Sequence, residues 1–204
     1  MHDALMIAAA SLIAYFIGNI SPSTILARSQ GIDIKKEGSG NAGTTNALRV
    51  MGKKAGVITL IIDILKGVAA VLIGWLFAGL YGAMGCVLFV MLGHVWPIVY
   101  KFQGGKGVAT SFGALLALHP LMALIELAIV AIVVLISKRM SVGSMVGMIL
   151  LPFVTLLFVP EFVWIAAILA IIMLIKHRGN IVRLIHGEEP KLGFLDKDKK
   201  EKKS

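Results

Sequence analysis

Long apolar runs broken by short clusters of glycine, proline and charge dominate this chain. Ala4 to Ala27, Ala55 to Leu80, Tyr81 to Tyr100 and Leu121 to Ile136 are each near or above the roughly 17 to 25 apolar residues that cross a hydrocarbon core. Four crossings follow directly. Between Gly107 and Asn180 the pattern admits two counts. One crossing from Gly107 to Ile136 would give five in all and leave Lys138 and Arg139 outside, the side that positive residues avoid. A turn at His119-Pro120 instead makes Gly107 to Leu118 a short inbound arm and Leu121 to Ile136 its return. At about 1.5 Å per residue that arm reaches only part way through a core about 30 Å thick, so it reads as a half-helix lining a cavity. Val142 to Val159 and Phe162 to Ile175, turning at Pro160-Glu161, complete the pattern. The expectation is an all-α integral membrane protein: a seven-segment helix bundle with its N-terminus outside and its C-terminus cytoplasmic.

Composition agrees, since 58% of the 204 residues are hydrophobic and only 15% charged, with a mean hydropathy of +0.90. An ordinary soluble domain does not reach these values. Met1-His2-Asp3 lacks a basic n-region and no cleavage site follows, so the first segment is expected to be retained. Cys86 is the single cysteine, which excludes a disulfide framework and a cysteine metal site. The formal charge of +9 does not indicate nucleic acid, because the basic residues flank apolar segments and crowd the C-terminal end. With seven segments all 20 Lys and Arg fall on or near the cytoplasmic side, and the outer turns carry only Asp3 and Glu161. Residues 1–187 read as one membrane-embedded domain, and 188–204 as a lysine-rich, solvated and disordered cytoplasmic tail that touches anionic headgroups.

Three polar constellations share the cytoplasmic face. Glu37 to Arg49 is dense in glycine, hydroxyl and amide groups; Gly38, Gly40 and Gly43 permit the positive φ and close approach that a nest of amides around an anion requires. Thr45 or Asn46 can cap the short helix that follows, and Arg49 can grip a phosphate with two parallel hydrogen bonds. The plainer alternative is a flexible surface turn. In Gln103-Gly104-Gly105-Lys106-Gly107, the flanking glycines open Lys106 and the following amides to a phosphate. A nucleotide P-loop is excluded, because Gly107 follows the lysine in place of Ser or Thr and no soluble strand precedes it. In Lys176 to Leu184, His177 and Asn180 share one face of a juxtamembrane helix, Arg183 adds a cation, and a histidine there can accept a proton at neutral pH. A snorkelling basic collar accounts for Lys176 and Arg178 but poorly for His177 and Asn180. Asp63 and Lys66 are expected to pair, His94 to bond across helices or enter the site, and Glu126 has no evident role.

Missing parts narrow the chemistry. Glu37 occupies the first glycine position of a nucleophile elbow around Ser39, no histidine is followed by aspartate at acyltransferase-dyad spacing, and no aspartate cluster offers a magnesium site. Phosphate recognition by amides, Arg49, Lys106 and Arg183 remains, with His177 for proton transfer. A lipophilic acyl phosphate suits that inventory: it is an activated mixed anhydride whose leaving group is phosphate, so positioning and charge stabilisation suffice, without cofactor or metal.

Gly38 to Arg49, Gly104 to Thr110 and His177 to Leu184 resemble, in order, the three signature motifs of the bacterial acyl-phosphate:glycerol-3-phosphate acyltransferases, the PlsY family; the likeness runs from about Ile13 to Gly187. Thr44 stands where Ala or Pro is common. The resemblance implies transfer of a fatty acyl group from acyl phosphate to the 1-position of glycerol 3-phosphate, giving lysophosphatidic acid and phosphate. It places a seven-helix bundle in the bacterial cell membrane with the site on the cytoplasmic side and no obligate protein partner. It further implies that Ser39, Asn41, Thr45, Asn46 and Arg49 bind phosphate and glycerol groups beside Gly38, Gly40, Gly105, Gly107 and Arg183. Ser39, Lys106, His177 and Asn180 would carry the chemistry. The proton acceptor stays open among His177, Ser39 and the substrate's own phosphate. An anion transporter is the rival class, and the clustering on one face without an internal repeat argues against it.

Overall fold

The computed structural model describes residues 2–192, and every regular element among them is helical. The helices are α1 (His2–Gly18), α2 (Pro22–Ser29), α3 (Thr44–Val95), α4 (Val108–Leu118), α5 (Pro120–Ser137), α6 (Met140–Phe158), α7 (Val163–Lys176) and α8 (Arg178–Ile185). Four helical runs, His2–Ser29, Thr44–Tyr100, α5 and α6, are long and apolar enough to cross a membrane; the bent pair Pro160–Lys176 and Arg178–Ile185 makes a fifth if it counts as one span. Large apolar side chains point outward, Leu76 at 84% exposure and Ile136 at 79% among them, which suits a surface solvated by lipid. Backbone contacts divide the chain into two compact units, Met1–Pro120 and Leu121–Ser204.

In the first unit α3 is 52 residues long without being one rod. Gly52, Ala78 and Gly79 leave helical geometry, Gly52 and Gly79 with positive φ, so a short amphipathic piece precedes two apolar arms that fold back at 78–79. Glycines set how closely the helices approach. A Cβ on Gly74 would lie 2.5 Å from the Gly82 carbonyl oxygen; one on Gly93 would meet the carbonyl of Tyr15 in α1, and one on Gly113 that of Ile64. Without a hydrophobic drive between helices in lipid, such small-residue contacts carry much of the packing.

The run Ala4 to Ala27, expected as one segment, is two helices. Pro22 has no N–H to continue the α1 ladder, so the chain turns at 19–21. Asn19 Nδ2 takes up the Tyr15 carbonyl at 2.6 Å and Lys66 Nζ the Ile20 carbonyl at 2.7 Å.

In the second unit Gly143 and Gly147 of α6 seat against Val130 of α5. α7 runs into α8 through a 57° bend at His177. Within the tail expected to be solvated from 188 onward, Glu188, Pro190 and Lys191 are exposed, but Glu189 is only 8% exposed and the Leu192 amide donates to the Lys138 carbonyl at 2.8 Å. The reason is chemical, since Ser141, Asn180 and Arg183 all present donors that a carboxylate satisfies. The rest of that tail, 193–204, lies outside the described residues.

Candidate active site

The first loop is organised by one amide. Asn46 is fully buried; its Oδ1 accepts from the Ser39 amide at 2.8 Å, and its Nδ2 donates to the carbonyls of Ile34 at 3.3 Å and Glu37 at 3.0 Å. Gly38 (φ 59°) and Gly40 (φ 66°) take the positive backbone angles that allow this wrap, and a Cβ on Gly38 would strike Asn46 Oδ1 itself. Gly43 in extended backbone is the residue before the helix, with no side-chain cap, so neither Thr45 nor Asn46 caps it as expected. Asn46, expected among the substrate-binding groups, is turned inward to shape the loop. Ser39 and Arg49 are exposed, Asn41 and Thr45 partly so.

The second loop lies against the first. Lys35 Nζ donates to the Gly104 carbonyl at 2.8 Å. The amides of Gly104 and Gly105 donate to the carbonyls of Val95 at 3.2 Å and His94 at 3.1 Å. A Cβ on Gly105 would sit 2.6 Å from the Ala42 carbonyl oxygen, so the glycine is what lets the two loops touch. Lys106 is half-buried, and Gly107 (φ 84°) starts α4 from the left-handed region. Beside the loops opens a cleft of about 560 Å³, lined by Arg28, Lys35 and Lys101 with Asp33 as its acidic residue. Cations outnumber carboxylates there, which favours an anionic guest.

In the second unit His177 is 2% exposed at the α7–α8 bend, and its Nδ1 donates to the Met173 carbonyl at 2.9 Å. That bond puts the ring proton on Nδ1 and the lone pair on Nε2. Asn180 Nδ2 donates to Glu189 Oε1 at 2.6 Å, Ser141 Oγ to the same oxygen at 2.6 Å, and Arg183 Nε to Glu189 Oε2 at 2.8 Å. Burial alone would raise the Glu189 pKa; the three hydrogen bonds and the Arg183 charge outweigh it and hold the carboxyl below the ordinary range. The geometry thus joins Gly38, Gly40, Ser39 and Asn46 with Gly105 in one unit, and His177, Asn180 and Arg183 in the other.

Residues 8–187 match the family model described as Glycerol-3-phosphate acyltransferase. The chain belongs to the glycerol-3-phosphate acyltransferase family. Two relatives in this family, both named Glycerol-3-phosphate acyltransferase, come from Finegoldia magna and Clostridioides difficile. The first is 47% identical, with 89% of this chain and 94% of the relative covered; the second is 46% identical, with 90% and 94% covered. Two crystal structures of PlsY, an integral membrane glycerol 3-phosphate acyltransferase, share the fold. The glycerol 3-phosphate form has a TM-score of 0.87 at 31% identity, and the lysophosphatidic acid form 0.83 at 32% identity; each alignment covers 93% of this chain and 96% of that one. Like them, this member of the glycerol-3-phosphate acyltransferase family is a multi-pass membrane protein.

Sequence reasoning missed Lys35 and Glu189. Lys35 stands two residues before the glycine-rich stretch and acts 69 positions away. Glu189 was read as tail, although its place among Pro190, Gly187 and a basic helix was the only available signal.

Proposed function

We propose that the chain transfers a fatty acyl group from acyl phosphate to the 1-position hydroxyl of glycerol 3-phosphate at the cytoplasmic face of the bacterial cell membrane. The catalytic domain in this reading is 1–187 with Glu189 packed onto it, folded as seven membrane segments with the N-terminus outside. The observation that carries it is the closure of two glycine-rich loops on each other through Lys35 and Gly104, with Lys106 between glycines at the seam. Amides and lysine together suit a phosphate dianion.

In the reaction the acceptor oxygen attacks the acyl carbonyl carbon, the bond from that carbon to the phosphate oxygen breaks, and lysophosphatidate and phosphate leave. Lys106 and Arg49 neutralise phosphate charge as it builds on the leaving group. Ser39, Asn41, Thr45 and Arg183 bind the substrates' polar groups, Asn46 holds the loop that presents them, and Glu189 orients Asn180 and Arg183. His177 Nε2 is suited to receive the hydroxyl proton, with Ser39 and the substrate phosphate as alternatives. The donor is already activated, so neither metal nor cofactor is called for.

Purified protein given palmitoyl phosphate and radiolabelled glycerol 3-phosphate, without metal, ATP or thioester, is expected to form lysophosphatidate. Product that appears only with acyl-CoA or acyl carrier protein would refute the donor assignment.

A further inference from the structure

Beneath the two loops lies a buried cluster that none of these steps uses. Asp63 and Lys66 on the first arm of α3 and His94 on the second are 2%, 4% and 6% exposed. Lys66 Nζ pairs with Asp63 Oδ1 at 2.7 Å, donates to the Ile20 carbonyl at 2.7 Å and meets His94 Nδ1 at 2.7 Å. An ammonium has three hydrogens and no lone pair, so Nδ1 accepts and the ring proton sits on Nε2. Asp63 Oδ1 lies 3.4 Å and Thr110 Oγ1 3.3 Å from that same Nδ1, enclosing one side of the ring.

The other side faces the second loop. A Cβ on Gly105 would collide with His94 Nε2 and come within 2.6 Å of the Ala42 carbonyl oxygen. The His94 carbonyl takes the Gly105 amide and its neighbour Val95 takes that of Gly104. His94 therefore borders Gly105 through both ring and backbone. Stability is a weak reason to bury these groups, because well-packed apolar residues of like volume often do as well as a buried ion pair. Orientation is what the cluster supplies and leucines cannot.

We propose that Asp63, Lys66 and His94 are positioning residues for acyl transfer: Lys66 fixes the His94 tautomer, and the Nε2–H side of the ring sets Gly105, and with it Lys106, against the first loop. This rests on Lys106 serving a substrate phosphate, as in the reading above. Two amide substitutions separate the ring's two nitrogens. In His94→Asn the amide reaches the Nδ1 place, keeps a partner for Lys66 and loses the group at Nε2. In His94→Gln the amide reaches the Nε2 place.

With full-length protein in nanodiscs, kcat/KM for glycerol 3-phosphate should fall about tenfold or more in His94→Asn and stay within about threefold of wild type in His94→Gln. The two variants should unfold at similar temperatures. Equal losses in both, no loss in either, the reverse order, or loss that follows the unfolding temperature would overturn the proposal. A second measurement needs only folded wild type: nitrogen NMR of histidine-labelled protein, with His94 assigned by its absence from the Gln variant, should show Nε2 protonated and Nδ1 bare. A proton on Nδ1 overturns the proposal. If wild type makes no lysophosphatidate from acyl phosphate, the functional reading falls by itself, and the tautomer result still judges the cluster.

Discussion

Asn46 gives an irregular loop three of its internal hydrogen bonds, so its loss is a test of what holds the glycines in place. In Asn46→Ala the Ser39 amide and the Ile34 carbonyl lose the bond to this side chain, while the Glu37 carbonyl keeps the Gly40 amide. Each such group costs about 1 to 3 kcal/mol where water cannot replace the bond. We expect a lower unfolding temperature in detergent and kcat/KM reduced about tenfold or more, the size of one such bond; unchanged activity would show that the loop holds its shape without the amide. Glu189 is the opposite case, a charge whose worth depends on pH. Its folded pKa is lowered by Ser141, Asn180 and Arg183 against the pull of burial. A lowered carboxylate pKa contributes stability above the unfolded value of about 4.3, and the contribution is lost as pH falls through the folded value. Glu189→Gln should therefore unfold at a lower temperature than wild type at pH 7, with the gap narrowing below about pH 4. A gap constant across that range would mean that the carboxylate charge is immaterial.

Helix ends were legible where a residue type forces them. His119-Pro120 and Pro160-Glu161 stop helices because proline lacks a donor, and the structure turns at both places. The break at Ser21-Pro22 carried the same signal inside an apolar run long enough to cross alone, and length won over chemistry in that reading. Gly52, which ends the short piece of α3 before the apolar arms, was equally visible and equally unused. Nothing local distinguishes glycines at helix crossings from glycines elsewhere, because the partner carbonyl belongs to a distant segment. Gly113 makes this concrete, since it lies where the Ile64 carbonyl leaves no room for a side chain. Gly113→Leu should force α4 away from the first arm of α3 and lower both the yield of folded protein and its unfolding temperature, whereas a Gly179→Ala control, whose added Cβ would meet its nearest neighbour at 3.6 Å, should lower neither through crowding. Equal behaviour of the two variants would argue against close packing at the crossing.

Across the whole molecule, the three constellations were visible in the sequence because each is a contiguous stretch dense in glycine, amide and cationic residues. What could not be read is what anchors them: Lys35 reaching Gly104, Glu189 reaching Ser141, and Lys66 joining Ile20 to His94 all depend on contacts made by the fold. Orientation in the membrane rests on charge. If basic residues stay cytoplasmic, a turn at 78 and a turn at 161 face outward while 53 and 138 face inward. Single cysteines at Lys53, Ala78, Lys138 and Glu161 on a Cys86→Ala background, treated in intact cells with a membrane-impermeant maleimide, should react at 78 and 161 and stay protected at 53 and 138 until the cells are opened. Labelling of 138 in intact cells would mean that 107–136 crosses as one segment and that the count is five. Labelling of 53 would reverse the whole protein and put the Lys106 loop on the outer face, where glycerol 3-phosphate from the cytoplasm could not reach it.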